Sequence, residues 1–264
     1  MTDQAEPEVV SERRGNVLVL RINRPDARNA LNAAVMAGVG NGIIEAEEDP
    51  DIRAVVLTGT GDRAFCAGMD LRSFASGGLA PTADEQKGMA RFGPFMSRGQ
   101  CAVPVIGAAN ATALAGGFEL LMACDLIVAA AGSQVGLPEV KRGLFAAGGG
   151  MFLAKRIPLA KALELTMTGD PISVEEAAEL GLINKVVPAD QVLDEAIALA
   201  EKIAANGPLG VQATKELVRM AAFAPADEVW KVHGERQASV FASEDAKEGA
   251  TAFVEKRAPV WKGR

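Results

Sequence analysis

Two glutamates stand beside glycine-rich segments and could carry acid–base chemistry. Glu119 lies three residues after Gly116 in the segment ALAGGFELLMACD, and Glu139 follows Pro138 in the segment GLPEVKRGL. The start of a helix presents unpaired N–H groups and a partial positive charge, which suit an oxygen atom that carries negative charge. Glycines at such a turn let a ligand approach the backbone closely. Taken singly, Glu119 fits a helix-capping glutamate and Glu139 a solvated surface residue, so neither decides the function alone.

Two further segments of small residues could complete such a site. In DRAFCAGMDL, small residues come just before Asp70 and could expose the N–H of Ala67 to a second face of the same oxygen. A plain loop in which Asp70 caps the next helix explains this segment equally well. The three glycines at 148–150 fit either a close backbone crossing or an anion-binding loop. The segment TGTGD lacks the full GxGxxG pattern and is a weak signal for a dinucleotide site.

Short apolar runs alternate with amphipathic stretches in the first half of the chain. Apolar runs bounded by turn residues predict strands that are buried on both faces. The predicted strands are residues 17–23, 54–59, 103–110 and 124–130. A helix is predicted from about Ala30 to Glu48, before Asp49-Pro50, and a surface loop over 75–83. Strands separated by helices predict an α/β fold.

The last third of the chain has a helical pattern. Ser173 and Glu176 have the spacing of a capping box, which predicts a short helix that ends at Gly181. Long amphipathic stretches follow and predict further helices. We therefore expect a disordered tail over 1–8, a core over 9–200 and a C-terminal helical region over 201–264.

Composition narrows the class of protein. The chain has 264 residues, of which 49% are hydrophobic and 23% charged, as in ordinary globular proteins. A net charge of -7 and a pI near 5.0 argue against nucleic acid or an anionic membrane as the main partner. Three cysteines without CxxC spacing and a single histidine argue against a disulfide framework, a metal site and a Ser-His-Asp hydrolase.

Two features of the sequence bear on its location. The first eight residues are polar and acidic, unlike a secretory signal peptide. The uncharged stretch 101–118 contains Pro104 and several glycines, so it is interpreted as a buried strand and loop and not as a membrane span. Together with the unpaired cysteines, these features predict a cytoplasmic protein.

The segments, taken together and in this order, resemble the enoyl-CoA hydratase/isomerase (crotonase) family. The similar motifs cover nearly the whole chain. They are INRPDARNAL (22–31), AFCAGMDL (64–71), ALAGGFELLMACD, LPEVKRGL, MTGDPIS, AAELGLINKVVP and SEDAKEGATAFVEKRAPVWKG. The resemblance implies an α/β, crotonase-like spiral of β-β-α turns with a C-terminal helical region used in trimerisation, and a homotrimer or a dimer of trimers. It also implies an acyl-CoA thioester as substrate and no cofactor, because coenzyme A enters as part of the substrate.

The resemblance also assigns roles to particular residues. It places Glu119 and Glu139 on the two catalytic glutamate positions, and the N–H groups of Ala67 and Gly116 in the oxyanion hole. The substrate and CoA surface that it implies comprises Ala27, Arg28, Ala67, Gly68, Met69, Asp70, Leu71, Gly116, Gly117 and Pro138. Further candidate contacts for the anionic CoA moiety are Arg24, Arg63 and, from a neighbouring subunit, Lys256 or Arg257. Solvated surface charges are the alternative for Arg63, Lys256 and Arg257.

The function predicted in this way is enoyl-CoA hydratase. This hydro-lyase adds water reversibly across the 2,3 double bond of a 2-enoyl-CoA in fatty-acid β-oxidation or related acyl-CoA breakdown. An isomerase needs only one carboxylate to move a proton, so the presence of two glutamates favours hydration or dehydration. Carnitinyl-CoA dehydratase stays open, since GGFEL and PVWKGR resemble that branch, although few aromatic residues are available to surround a trimethylammonium group. RNA binding, which some relatives show, is disfavoured by the acidic pI.

Overall fold

Two β-sheets form the framework that carries the candidate segments. The computed structural model of the chain describes residues 6–264. Its strands, numbered in chain order, are β1 (Val9–Arg14), β2 (Val17–Ile22), β3 (Ala54–Gly59), β4 (Val105–Ala109), β5 (Ala113–Leu114), β6 (Leu126–Ala130), β7 (Gln134–Gly136), β8 (Ile172–Ser173) and β9 (Lys185–Val187). One sheet has the order β1-β2-β3-β4-β6-β9, and the smaller sheet has the order β5-β7-β8. In the larger sheet, β1 is antiparallel to β2 and all other neighbours are parallel.

Helices connect the parallel strands and form the C-terminal region. Within residues 6–264 they are α1 (Ala33–Glu48), α2 (Leu71–Ala75), α3 (Gln86–Arg98), α4 (Gly116–Ala123), α5 (Leu159–Thr168), α6 (Val174–Glu179), α7 (Val192–Ala204), α8 (Pro208–Phe223), α9 (Ala226–Phe241) and α10 (Glu244–Glu255). The four predicted strands correspond to β2, β3, β4 and β6, and the predicted first helix to α1, so the α/β class is confirmed. The predicted cap is also present, because the Ser173 hydroxyl accepts a hydrogen bond from the Glu176 N–H at 3.0 Å.

The larger sheet is covered on both faces. Along β2, Leu18 and Leu20 belong to one buried cluster, while Val17 and Val19 belong to a second cluster on the opposite face. This alternation is the period of two that a strand imposes on its side chains. The first cluster packs under α1, α3 and α4, and the second packs under α7. Burial on both faces explains why the strands appear as continuous apolar runs in the sequence.

Helices α1 and α3 meet at a contact between two glycines. A Cβ on Gly40 would overlap the carbonyl oxygen of Gly88, and a Cβ on Gly88 would overlap that of Ala37. The two helix backbones therefore approach each other more closely than any side chain would allow. This contact fixes α3, whose last turn includes Met96 and lies beside α4.

The C-terminal helices attach to the core at a few polar contacts. Lys215 and Arg219 of α8 each reach the Asp125 carboxylate at 2.7 Å, directly after α4. Helix α9 buries none of its residues within the described chain. The expected boundary at residues 200 and 201 falls inside α7, because α7 covers the second face of the sheet as far as Ala204.

The N-terminal segment is described only in part. Of the tail expected over 1–8, residues 1–5 lie outside the described residues. Glu8 is held at the end of β1, because its carbonyl accepts from the Asn23 N–H at 2.7 Å and its carboxylate pairs with Arg24 at 3.0 Å. Among residues 6–264, no helix combines the length and the apolar composition that a membrane crossing requires.

The glycine contact between α1 and α3 makes a prediction about stability. We expect Gly88→Ala to lower the free energy of unfolding by about 1–3 kcal/mol, because the added methyl group overpacks the contact with Ala37. The matched control is Gly234→Ala inside α9, where a Cβ meets nothing within 4 Å and no proline follows. That control should raise stability by about 0.5–1 kcal/mol, since alanine favours a helix more than glycine does. Urea titrations at one protein concentration measure the free energy of unfolding of both variants. An unchanged free energy of unfolding in Gly88→Ala would contradict the close contact.

Candidate active site

The segment after β3 is tied to its neighbours on two sides by backbone hydrogen bonds. On one side, the Leu114 N–H donates to the Cys66 carbonyl at 3.1 Å. On the other side, the Ala67 N–H donates to the Arg28 carbonyl at 3.0 Å. The Ala67 amide is therefore already paired within the protein, and it has no hydrogen left to offer a ligand. The assignment of Ala67 to an oxyanion hole is corrected on this ground.

The amide of Met69, two residues later, is the one that faces Gly116. Leu31 pairs with Met69 in a parallel bridge that uses the Leu31 N–H and the Gly68 carbonyl, at 2.8 Å, and leaves the Met69 N–H pointing elsewhere. Within residues 6–264, neither the Met69 N–H nor the Gly116 N–H has a backbone or side-chain acceptor. The place that a Cβ would take on Gly116 lies 3.6 Å from the Met69 nitrogen. Two free amides thus stand close together at the start of α4.

Small residues are required where the two segments meet. Gly68 has φ of +93°, and a Cβ there would lie 3.1 Å from the Gly116 nitrogen, in the space beside the free amides. A Cβ on Gly117 would overlap the Cys66 carbonyl oxygen, so Gly117 allows the close approach of α4 to this segment. Ala115 occupies φ 51° and ψ −132°, a conformation that favours glycine, and therefore holds strain of about 1–3 kcal/mol next to the Gly116 amide.

The Glu119 carboxylate is buried but well supplied with donors. Its side chain lies in the first turn of α4 and the residue is only 5% exposed. The Gly150 N–H donates to its Oε1 at 2.8 Å, and the N–H groups of Gly148 and Gly149 lie near enough to influence the pKa of the carboxyl. Burial raises the pKa of Glu119, the three glycine N–H groups oppose that rise, and the charge on Glu139 adds to it. The glycine run predicted as a possible anion-binding loop therefore binds a carboxylate of the same chain.

Glu139 lies in a less satisfied environment. It belongs to a short 3-10 helix over Pro138–Arg142, and its Oε2 atom is buried without a hydrogen-bond partner among the described residues. Burial raises the pKa of Glu139, and its own backbone N–H and the charge of Arg142 only partly oppose this. A carboxyl oxygen without a donor favours the protonated form. The two glutamates, twenty residues apart in the chain, thus lie close enough for one to perturb the pKa of the other.

The basic residues predicted to contact CoA differ in their availability. Arg28 is exposed beside the Ala67 segment, and its guanidinium pairs with no carboxylate of residues 6–264. Arg24 is buried to a large extent and is occupied by Asp70, which it reaches at 3.1 Å. Arg63 donates to the Pro25 carbonyl at 2.7 Å and is paired with an aspartate on the same loop. Of these three, only Arg28 is free for an external anion.

The remaining predicted positions divide into those near the amides and those away from them. Ala27 precedes Arg28 in the same loop, and Leu71 is a half-exposed residue at the start of α2, after the N-terminal cap Asp70. Pro138 opens the 3-10 helix of Glu139. Lys256 and Arg257 follow α10 at the C-terminal end of the chain, where Arg257 pairs with Glu248 and Glu255. A contact from these two residues to CoA stays a prediction, since it would come from a neighbouring subunit.

A large cavity reaches this site at one end only. It has a volume of about 1850 Å³ and extends mainly between α8 and the core. Glu119 and Gly149 line it, whereas Glu139, Met69 and Gly116 do not. Met96, Met122 and Phe152 contribute apolar walls next to Glu119. In residues 6–264, no group of three or more His, Cys, Asp or Glu side chains could hold a metal ion.

Comparison with known proteins identifies the family. The model of the enoyl-CoA hydratase/isomerase family matches residues 12–264. The chain belongs to this family. It is 40% identical over 268 residues to enoyl-CoA hydratase EchA19 of Mycobacterium tuberculosis, covering 100% of this chain and 99% of that protein. It is 38% identical over 262 residues to a carnitinyl-CoA dehydratase of Salmonella typhi, covering 96% of this chain and 97% of that protein.

The solved structures agree with this membership. A crystal structure of enoyl-CoA hydratase from Mycobacterium tuberculosis H37Rv is similar with a TM-score of 0.89 at 46% identity, covering 98% of this chain and 100% of that one. The crotonase-like α/β fold with C-terminal helices is therefore confirmed.

Sequence reasoning placed the two glutamates and Gly116 at one site, but it missed the free amide of Met69. The bridge between Leu31 and Met69, which decides which amide is free, has no signal in the sequence.

The raised pKa of Glu139 makes a prediction about pH and stability. A buried carboxylate lowers the stability of the folded protein at any pH where it is ionised. This cost disappears below the pKa that the carboxyl has in the unfolded chain, because it is then protonated in both the folded and the unfolded state. We expect Glu139→Gln to raise the melting temperature at pH 8, and the gain to shrink as the pH falls towards 4.5. Thermal unfolding of both proteins from pH 4.5 to 8 measures this difference. Glu201→Gln, an exposed position in α7, serves as the control and should show no comparable trend.

Proposed function

We propose that this protein is an enoyl-CoA hydratase, a hydro-lyase that acts on acyl-CoA thioesters. The observation that carries the proposal is the contrast between two neighbouring glutamates beside two free amides. Glu119 accepts a hydrogen bond from the Gly150 N–H with two further glycine amides nearby, whereas Glu139 has a buried oxygen without a donor among residues 6–264. Such a pair supplies an ionised base and a protonated acid at once. The names of relatives at 40% and 46% identity support the same activity.

In the proposed mechanism, the amides of Met69 and Gly116 bind the thioester oxygen. Water adds its hydroxyl group to the β carbon and gives its proton to Glu119, and electron density moves onto the thioester oxygen as an enolate. Glu139 then delivers its proton to the α carbon. Two fixed donors favour the enolate over the ground state, and loss of one such donor costs about 3 kcal/mol. No metal or cofactor takes part, and coenzyme A enters only as part of the substrate.

A dehydratase that acts on carnitinyl-CoA is the second candidate. It is supported by the relative at 38% identity that carries this name. The chemistry is the same elimination of water from a 3-hydroxyacyl thioester, so the two candidates differ in the acyl group alone. Isomerisation is a weaker candidate, because it leaves one of the two glutamates without a task.

The test of the proposal is a substrate series with matched variants. The wild-type protein should consume the enoyl absorbance of crotonyl-CoA or of longer 2-enoyl-CoAs, and should form 3-hydroxyacyl-CoA. Glu119→Gln and Glu139→Gln should each lower kcat by at least about 100-fold, because each removes one of the two proton transfers. Crotonobetainyl-CoA tests the second candidate and a 3-enoyl-CoA tests isomerisation. A near-normal rate in either variant would contradict the two-glutamate mechanism.

We also propose that the protein assembles as a homotrimer or as a dimer of trimers. Apolar side chains remain exposed on the segment after Glu139, on α5 and on the C-terminal helices. They include Phe145, Met151, Leu159, Met167, Val218, Trp230, Phe241 and Phe253. Apolar exposure on this scale marks interaction surfaces. Sedimentation equilibrium should give three or six times the mass of 27.4 kDa, and a monomer at micromolar concentration would reject the assembly.

A reducing compartment such as the cytoplasm fits the proposal. The three cysteines are buried and free of disulfide bonds. Burial raises the pKa of the Cys66 thiol to about 12, which keeps the sulfur next to the site protonated and unreactive. Cell fractionation would test this location.

A further inference from the structure

The guanidinium of Arg24 joins three segments of the chain beside the free amides. Its Nε atom pairs with the Glu8 carboxylate at 3.0 Å, and its Nη1 atom donates to the Ala30 carbonyl at 2.7 Å. Both Nη atoms reach the Oδ2 atom of Asp70 at 3.1 Å. The Arg24 and Asp70 side chains are only 17% and 14% exposed. Every nitrogen of this guanidinium is therefore used within the protein.

Asp70 is the residue directly after Met69, and it is held by four donors. Its Oδ1 atom accepts from the N–H groups of Arg72 and Ser73 and so begins α2, while its Oδ2 atom accepts from Arg24. These N–H groups and the guanidinium lower the pKa of the Asp70 carboxyl. An arginine that binds one carboxylate oxygen through both Nη atoms balances the charge of the carboxylate and also restrains its position.

The backbone bonds near Met69 set the direction of its amide. The Met69 N–H belongs to the same planar peptide group as the Gly68 carbonyl, which accepts from the Leu31 N–H at 2.8 Å, and the Asp70 N–H bonds the Leu31 carbonyl at 2.9 Å. Arg24 holds both sides of this bridge, because its Nη1 atom binds the carbonyl of the Ala30–Leu31 peptide and both Nη atoms bind the Asp70 side chain. On the side towards α2, the helix has only five residues and is followed by an exposed loop, so the contact between Arg24 and Asp70 restrains the bridge against motion of that loop.

We propose that Arg24 is a positioning residue of the oxyanion hole and not a contact for the CoA phosphates. It binds the Ala30 carbonyl and the Asp70 carboxylate on the two sides of the Leu31–Met69 bridge, and this bridge sets the direction of the Met69 N–H. This inference rests on the proposed function, and it identifies Arg28, whose guanidinium pairs with no carboxylate of residues 6–264, as the phosphate contact of this loop. A donor displaced by a fraction of an ångström loses much of its effect on the transition state while the substrate still binds.

The experiment compares Arg24→Met with Arg28→Met in enoyl-CoA hydration. Arg24→Met should lower kcat by about 10- to 100-fold and change KM by less than about threefold. Arg28→Met should raise KM and leave kcat close to the wild-type value. On an enoyl thioester of pantetheine, which lacks the CoA phosphates, the Arg28 effect should vanish and the Arg24 effect should persist. An Arg24 effect confined to KM, and lost on the pantetheine thioester, would overturn the proposal.

Further variants separate positioning from general loss of structure. Arg24→Lys keeps the charge but not the two-pronged contact, so it should recover only part of kcat. Asp70→Asn keeps the cap on α2 and weakens the link to Arg24, and it should lower kcat with KM nearly unchanged. Arg13→Met removes the surface pair of Arg13 with Asp49, at 2.6 Å, and should leave kcat unchanged. A kcat loss that is equal in Arg13→Met and Arg24→Met would overturn the positioning role.

A second readout does not depend on hydration. A 3-oxoacyl-CoA that binds at the two amides should show the near-ultraviolet absorbance of its enolate, and Arg24→Met should reduce this signal at saturating ligand. Wild-type protein that forms the enolate but hydrates no 2-enoyl-CoA would contradict the proposed function and leave the Arg24 comparison intact. A full enolate signal and a full kcat in Arg24→Met would contradict the inference and leave the hydratase assignment intact.

Discussion

A buried carboxylate at the first turn of an apolar helix is the constraint on which this site depends. Glu119 is out of water, and its ionised form is tolerated only because glycine N–H groups from a distant loop are directed at it. The glycine run at 148–150 can approach because it has no side chains. The same helix start leaves the Gly116 amide without an acceptor among residues 6–264, so that one helical turn carries a carboxylate and a hydrogen-bond donor at a fixed spacing.

The rest of the fold serves to hold two loops against that helix start. Helix α4 follows β5, and the segment after β3 pairs with β5 through Cys66 and Ala113. The loop after β2 binds the other side of the same segment through Leu31. Parallel strands place the ends of β2, β3 and β4 at one edge of the sheet, so short loops suffice to bring these parts together. The strain at Ala115 is held by this framework and sits at the donor it orients.

Charged residues at the back of the site show how the C-terminal region is coupled to it. Asp125, directly after α4, pairs with Lys215 and Arg219 of α8, and Arg219 also donates to the Ala123 carbonyl at 2.9 Å. Cations at a helix C-terminus stabilise the helix through its dipole. The helix that carries Glu119 is thus fixed at its last turn by α8. The exposed apolar faces of the C-terminal helices are in turn suited to contacts outside this chain.

The sequence alone determined the class of fold and predicted which two glutamates form the acidic pair. Apolar runs buried on both faces leave a local signal, as β2 and β3 show, and so does the cap at Ser173. Polar or very short strands such as β1 and β5 leave no local signal in the sequence, because they form through hydrogen bonds to other strands and not through a local apolar pattern. Only the tertiary structure decided that Met69 and not Ala67 has the free amide, and that Arg24 is consumed inside the protein. Hydrogen-bond partners from distant segments settle which groups are left for a ligand, and no spacing within one motif records them.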